Sequence, residues 1–446
     1  MFQKIMVANR GEIACRVMAA CREMKIPTVA IYSEADRDAL HVRLADEAVC
    51  VGPAENRASY LNMPNIISAA IITGADAIHP GYGNLSETPR FAEVAEACKL
   101  SFIGPSAEVI EMLGDKVRAR QLAEEAGVPY IPGSREVIES PSEALIIANE
   151  LGYPILLKAV AGGGGRGIRD VHNDEQMAQA FETARAESLA AFGDDRLYID
   201  KFIPVARHIE VQVLADSHGN VVHLGERDCS LQLRRQKILE EAPAPGVRRS
   251  LRRKLGEAAV RLAETAGYEG AGTVEFLVEP NGKFYFLEAN ARVQVEHPVT
   301  EMLTGVDIVK EQIRVAAGEK LACEQGSIWF NGHAMECRIL AVDSDNNFNP
   351  SPGEITEWVP PTGPGVRVDS GVTTGSVVSS HYDPMIAKVI CWAPDRDTAI
   401  ARMEAALRSM TIEGIKTIIP YQLRILGNRF FRDGQVDTLF LPRRLG

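Results

Sequence analysis

The chain has no uninterrupted apolar run long enough to cross a bilayer, which excludes a helical membrane protein. Its opening, MFQKIMVANRGE, reads directly into a strand and a turn, so no signal peptide is expected and a cytoplasmic location is. The eight cysteines fall singly, without a CxxC pair, which excludes a disulfide framework and predicts reduced core thiols. Nine histidines show no HxxxH spacing, so a zinc site is not expected. No GxGxxG follows the first strand; Asn9-Arg10-Gly11-Glu12 stands there instead, which disfavours a dinucleotide site. The GK[ST] ending of the common P-loop is also missing. A net charge of −12 argues against nucleic acid as a general partner.

What is present is the composition of a globular protein, 46% apolar and 24% charged. At 446 residues it is too long for one core and implies roughly three domains. KIMVAN and TVAIYS read as strands around a helical run of Ile13, Val17, Cys21 and Met24. Thr88-Pro89 fits a helix start, with Phe91, Val94, Ala95 and Cys98 on the buried face, and SFIG follows as a strand. This βαβ order predicts a parallel sheet. A second unit begins at Gly114-Asp115-Lys116 and a third near Asn331-Gly332, whose turns are rich in Pro and Gly.

Three segments carry chemistry. GTVEFLVEPNGKFYFLEANARVQVE reads as a hairpin, with a two-residue turn at Asn281-Gly282 setting Glu275 opposite Glu288. Facing carboxylates destabilise a sheet unless a cation lies between them. Glu288, Asn290, Arg292 and Gln294 share one parity and so one face, and hard oxygen donors of this kind suit Mg²⁺ on nucleotide phosphates. A polar, solvent-facing strand edge is the plain alternative. ILLKAVAGGGGRGIR places Lys158 before four glycines, Gly162, Gly163, Gly164 and Gly165, whose N–H groups can approach phosphate closely. A surface loop is the competing reading, and Lys116 upstream offers a second cation. RHIEVQVLAD alternates as a half-buried strand, and Arg234, Arg235 and Lys237 then form an anion-binding cluster or an exposed charged loop. Arg338 falls on a strand that would half-bury it, where a carboxylate partner is expected.

A glycine-rich loop, two separated lysines and an acidic hairpin in this order resemble the ATP-grasp design. The blocks NRGEIA, HPGYG, LSE, FIGP, GDK, GGGGRG, RHIEVQVL, ERDCS, EEAPAP, GAGTVEF, QVEHPVTEM, ECRI and YDPMIAK together resemble biotin carboxylase, and they span nearly the whole chain. With no AMKM-type motif or transferase domain following, the resemblance is to a stand-alone subunit of a carboxylase such as acetyl-CoA carboxylase. It implies an α/β fold: a Rossmann-like parallel sheet over 1–114, an ATP-grasp domain over 115–330 with a mobile lid at about 131–203, and a mixed α/β domain over 331–446. The implied reaction is ATP- and bicarbonate-dependent carboxylation of the biotin ureido nitrogen on a carrier protein. Implied partners are that carrier, a carboxyltransferase and a second copy of the chain.

The resemblance also assigns residues. Mg²⁺ (or Mn²⁺) would sit on Glu275, Glu288 and Asn290. Lys116, Lys158, the four glycines, His208, Gln232, Arg235 and Leu277 would hold ATP, with Asp200, Lys201, Phe202 and Ile203 at the adenine edge. Bicarbonate would lie between Lys237, Arg292, Gln294 and the Val295 amide, with Glu296 as base. Arg338 would stabilise the enolate-like biotin oxygen, and Tyr82 and Gly83 would wall the biotin pocket. The chain departs from the family at Asn84 (usually aromatic), Leu233 (Arg), Arg235 (His or Asn), Asp200 (Glu) and His381 (Tyr). Another ATP-grasp ligase, or a non-catalytic paralogue, are the competing readings. The intact Lys237, Arg292, Glu296 and Arg338 favour the first reading. Arg235 replaces a ribose contact, so ATP binding weaker than the family norm is expected. Arg235→His should lower the KM for ATP by roughly 5- to 150-fold, the equivalent of about 1–3 kcal/mol, in a steady-state ATP titration.

Overall fold

The computed structural model describes every residue except 135, 161–166 and 446. The N-terminal unit has the expected parallel sheet, built from β1 (Ile5–Val7), β2 (Thr28–Ser33), β3 (Glu47–Gly52), β4 (Ala77–His79) and β5 (Ser101–Phe102) in the order β3-β2-β1-β4-β5. Helix Gly11–Glu23 crosses from β1 to β2 and buries Ile13, Val17 and Cys21. Helix Pro89–Ala97 starts where Thr88-Pro89 predicts, but the Thr88 side chain makes no capping bond. Cys98 lies past the end of that helix and is exposed, as is Cys50, so these two are not core thiols.

A small antiparallel sheet follows: β6 (Ile155–Ala159), β7 (Ile168–Val171) and β8 (Leu197–Lys201), with β6 in the middle. The predicted phosphate glycines 162–165 fall between β6 and β7, outside the described residues.

The large sheet has eight strands. They are β9 (Arg207–Ala215), β10 (Val221–Leu233), β11 (Gln236–Ala242), β12 (Gly270–Val278), β13 (Phe284–Asn290), β14 (His333–Leu340), β15 (Val366–Ser370) and β16 (Met385–Ala393). Their order is β13-β12-β9-β10-β11-β14-β16-β15, antiparallel throughout, so the sheet runs unbroken past residue 331. No helix among the described residues is long and apolar enough to cross a membrane.

Two hairpins differ from expectation. Between β12 and β13 the loop has three residues, Pro280–Gly282, inside a Glu279–Lys283 backbone bond, with Gly282 at φ +87°. That alone would move Glu275 off Glu288. A bulge at Leu287 restores the pairing, because Phe276 faces Phe286 while Glu275 faces Glu288. The basic segment that reads as a loop is instead a tight hairpin. Leu233 pairs with Gln236, and Arg234 and Arg235 form the two-residue turn at φ +50° and +67°. β9 is not half-buried: it is interior to the sheet, and Glu210 and Gln212 are as buried as Ile209 and Val211.

Helices Gly11–Glu23 and His297–Thr304 meet the C-terminal end of the large sheet through charges, and the second also packs Val299 and Leu303 against Ala242 and Ala334. Arg16 reaches Glu301 at 2.9 Å and Asp307 at 2.6 Å, and Arg367 reaches Glu301 and Asp369 at 2.7 Å each. Elsewhere the core is apolar. Phe276 is fully buried beside the bulge, edge-on to Phe284 with ring centres 5.5 Å apart. Phe276→Ala should cost about 3–5 kcal/mol of folding free energy, read from urea unfolding.

Candidate active site

A cavity of about 810 Å³ opens where the three units meet. The hairpin β12–β13 forms one wall, the tip of β10–β11 another, and the segments at Asn9–Ile13 and Tyr82–Asn84 a third. Burying ionised groups is costly unless each finds a partner of opposite sign. The site satisfies this with alternating charges.

Lys237, on β11, points its ammonium at three carboxylates: Glu210 at 2.5 Å, Glu275 at 2.9 Å and Glu296 at 2.7 Å. Burial would lower the lysine pKa, but these three carboxylates hold it well above the usual ammonium range. Arg227, fully buried on β10, binds Glu210 at 2.6 Å and the Gln294 amide oxygen at 3.0 Å. Gln294 in turn donates to Glu275 at 2.8 Å. Arg338, on β14, donates to Glu240 at 2.6 Å and to Glu296 at 2.9 Å. Burial pushes the Glu296 carboxyl up, but Lys237, Arg338 and Arg227 together reverse this and hold it far below the ordinary range. It is a firmly ionised carboxylate.

On the hairpin edge, Glu288 pairs with Lys116 at 2.7 Å. Asp115 caps helix Lys116–Glu125 by accepting from the Val117 and Arg118 amides, which sets Lys116 at its first position. Glu275 holds His208 at 2.8 Å, and His208 Nδ1 meets the Gln232 amide at 3.1 Å. Burial disfavours the His208 imidazolium, and Glu275 more than compensates, raising its pKa. Asn290 donates to Glu275 at 3.0 Å while its oxygen accepts from Arg292 at 2.9 Å. Two further triads of metal-ligating side chains occur among the described residues, His208–Glu210–Glu275 and Glu210–Cys229–Glu296. Lys237 and Arg227 supply positive charge inside both. At Glu288, burial and the Glu275 charge oppose ionisation, but Lys116 outweighs them and holds the carboxyl below its ordinary value; with Glu275 and the Asn290 amide it offers hard oxygen donors to the cavity. That donor set suits a small divalent ion.

Three family models cover the chain in order. They are the biotin carboxylase N-terminal domain over residues 1–110, the carbamoyl-phosphate synthase L chain ATP-binding domain over 115–324 and the biotin carboxylase C-terminal domain over 336–443. Over 440 residues the chain is 53% identical to a biotin carboxylase of Nostoc sp. (strain PCC 7120), covering 99% of this chain and 98% of that protein. The chain belongs to the biotin carboxylase family. A biotin carboxylase–beta-gamma-ATP complex from Campylobacter jejuni has a TM-score of 0.97 at 47% identity, covering 100% of this chain and 99% of that one. The biotin carboxylase domain dimer of Hydrogenobacter thermophilus 2-oxoglutarate carboxylase, bound to MgADP, ADP and bicarbonate, also has a TM-score of 0.97. It is 49% identical, covering 99% and 98%. The fold is therefore of the ATP-grasp type.

Most residues predicted for a biotin carboxylase site do line this one cavity. Of the residues expected to hold ATP, Lys116, Lys158, Lys201, Phe202, Ile203, His208, Gln232, Arg235 and Leu277 line it. Tyr82, Gly83, Lys237, Arg292, Gln294, Val295, Glu296 and Arg338 line it too. Asp200 does not reach the wall; its buried carboxylate turns to Lys158 at 2.9 Å and to Arg120. Arg292 and Gln294 arrive by a different route from the predicted one. β13 ends at Asn290, so they project from the following loop, not from the strand face. Glu87 fixes that loop, accepting from the Ala291 amide at 3.0 Å and Arg292 Nε at 2.7 Å. Asn84 has φ +43°, a left-handed conformation that asparagine tolerates better than an aromatic residue does. Arg235 meets Asp170 of β7 at 3.5 Å, across the cavity mouth.

Sequence reasoning missed Glu210, Arg227, Glu240, Glu87 and Glu12. For Glu210, Arg227 and Glu240 the signal was a charged residue inside an otherwise strand-like block; Glu12, at a helix start, and Glu87, in a turn, stand where charges are ordinary. Glu240 and Glu336 face each other on β11 and β14, both fully buried. Burial pushes Glu240 up to about 7 and Glu336 well above the carboxylate range. A raised carboxyl favours the protonated folded state. Its contribution to stability is complete below the ordinary value of 4.5 and lost as pH rises through about 7. The urea midpoint should therefore fall as pH rises from about 4.5 to about 7, and Glu240→Gln should reduce that fall.

Proposed function

We propose that this chain catalyses the ATP- and bicarbonate-dependent carboxylation of the biotin ureido nitrogen on a carrier protein. The carrying observation is the convergence of Lys237 and Arg338 on Glu296, beside the paired carboxylates Glu275 and Glu288. Another ATP-grasp ligase would share the hairpin but has no use for that cluster.

Glu275, Glu288 and Asn290 would hold Mg²⁺ (or Mn²⁺). When bound, the ion neutralises charge on the β- and γ-phosphates of ATP. Lys116, Lys158, His208 and Gln232 surround the remaining phosphates and ribose, with Lys201, Phe202, Ile203 and Leu277 at the base and Arg235 at the rim. The glycines 162–165 are assigned to the phosphates on the family resemblance alone.

Bicarbonate takes Lys237, Arg292, Gln294 and the Val295 amide. Glu296 accepts its proton as the oxygen attacks the γ-phosphorus and ADP leaves, giving carboxyphosphate. Carboxyphosphate splits to CO₂ and phosphate, phosphate takes the ureido proton, and the nitrogen attacks CO₂. Arg338 faces the enolate-like oxygen, a preorganised electrostatic role, with Tyr82 and Gly83 as the pocket wall. A carboxylate held as low as Glu296 is a poor base while both cations rest on it. It strengthens when bicarbonate engages Lys237 and biotin engages Arg338.

The carrier, a carboxyltransferase and a second copy of the chain are the partners this role calls for. We place the reaction in the cytoplasm, as the first half of an acyl-CoA or oxo-acid carboxylation.

With Mg²⁺ and ATP, ADP release should require bicarbonate and rise with free biotin. Glu296→Ala should lower it by roughly 10²- to 10⁴-fold, the range for a lost general base. Hydrolysis indifferent to both bicarbonate and biotin would reject this function.

A further inference from the structure

One buried cation has no part in the chemistry above. Lys388, in the YDPMIAK segment of β16, has 0% exposure. It stands in register with Arg338 on β14 and with Asp369 on β15, so the three share one face of the sheet. Its ammonium donates to the Val295 carbonyl oxygen at 2.7 Å, lies 3.2 Å from Glu12 and is 4.0 Å from Asp369. Glu12, near the start of helix Gly11–Glu23, accepts the Tyr82 hydroxyl proton in a short hydrogen bond. One side chain from the C-terminal unit thus grips the loop that carries Glu296 and, through Glu12, the tyrosine opposite.

We propose that Lys388 is a positioning residue that sets Glu296 and Tyr82 in one frame. The inference rests on the reading of Glu296 as base and Tyr82 as pocket wall. The Val295 carbonyl belongs to the same rigid peptide plane as the Glu296 nitrogen, so holding that oxygen fixes where the Glu296 side chain departs from the backbone. Glu296 immediately precedes helix His297–Thr304; its carbonyl is fixed on the helix side by the Val299 amide at 3.1 Å, and Lys388 fixes the peptide on the loop side. A surface lysine would hold such a loop weakly. This one is fully buried, and removing it leaves the buried Glu12 carboxylate without its cation and the half-buried Val295 carbonyl without its donor. Nothing that Lys388 contacts is among the residues expected to hold ATP, which separates its effect from ATP binding.

The test is Lys388→Met, assayed for ADP release with Mg²⁺, bicarbonate and free biotin, alongside the thermal midpoint. Misplacing a base by about 1 Å costs up to roughly 100-fold, so kcat should fall roughly 10- to 100-fold and the KM for biotin should rise. The KM for ATP should stay within about twofold. A purely structural role would lower the thermal midpoint and leave kcat of the folded fraction intact. A folded variant with kcat within about twofold of the parent, or a loss confined to the KM for ATP, overturns the proposal. Should Lys388→Met not fold, Lys388→Arg keeps the charge and moves the donor off Val295; it should show the same split, and parental kcat overturns the proposal. A parent whose ATP hydrolysis ignores bicarbonate overturns the function itself, and this inference with it.

Discussion

Lys237 is the group on which the site depends. Its three carboxylate partners come from separate places: Glu210 from the middle of β9, Glu275 from β12 and Glu296 from the turn before a helix. Removing one partner of a buried pair leaves an uncompensated charge and costs several kcal/mol, far more than the pair contributes net. The cluster therefore acts as a register lock. A one-residue slip of β9 against β12, or of β10 against β11, would turn Glu210 or Lys237 to the opposite face. Arg227 extends the lock by bonding Glu210, Gln212, Thr273, Gln294 and Thr300.

The N-terminal and central units share apolar clusters, but the same logic sets the N-terminal helix against the C-terminal strands. An apolar interface between the N-terminal helix and the C-terminal strands would tolerate sliding, because hydrophobic contact is non-directional. Here the contact is ionic, through Arg16, Glu301, Asp307, Arg367, Asp369, Lys388 and Glu12. Buried ion pairs are weak evidence for stability, but they tolerate few geometries. A cavity whose walls come from all three units needs that restriction, since its chemistry depends on distances between groups on different walls.

How much of this was legible in the sequence depended on whether a signal was local. The parallel sheet, helix Gly11–Glu23 and the helix start at Thr88-Pro89 each follow from a few adjacent residues. The facing of Glu275 and Glu288 was expected for an incomplete reason. Asn281-Gly282, the strongest turn signal in the chain, closes a three-residue loop, and the bulge at Leu287 compensates for it. Bulges leave little mark in a single sequence, since any residue can be the extra one. Conversely, the true two-residue turn is Arg234-Arg235, a pair with no preference for left-handed backbone, held there by the β10–β11 ladder on either side. Glu210 and Gln212 looked solvent-facing because alternation shows which residues share a face, not whether that face meets water. Only the arrival of Arg227 from β10 makes that face an interior one.

The cations around Glu296 also constrain the order of events on the proposed pathway. With the substrates absent, Lys237 and Arg338 neutralise Glu296 and leave it unable to take a proton near neutral pH. Each incoming substrate competes for one of those cations. Bicarbonate on Lys237 frees part of the carboxylate, and the still neutral biotin carbonyl oxygen, by accepting from Arg338, frees a little more. Opposite charges a few ångströms apart in a partly desolvated cavity interact strongly enough for such exchanges to move a pKa by several units. Base strength is then a consequence of occupancy: the group that would activate bicarbonate becomes competent only once bicarbonate has displaced it. On the proposed roles, ATP hydrolysis without bicarbonate should be slow, because water brings no charge with which to release Glu296 from its partners.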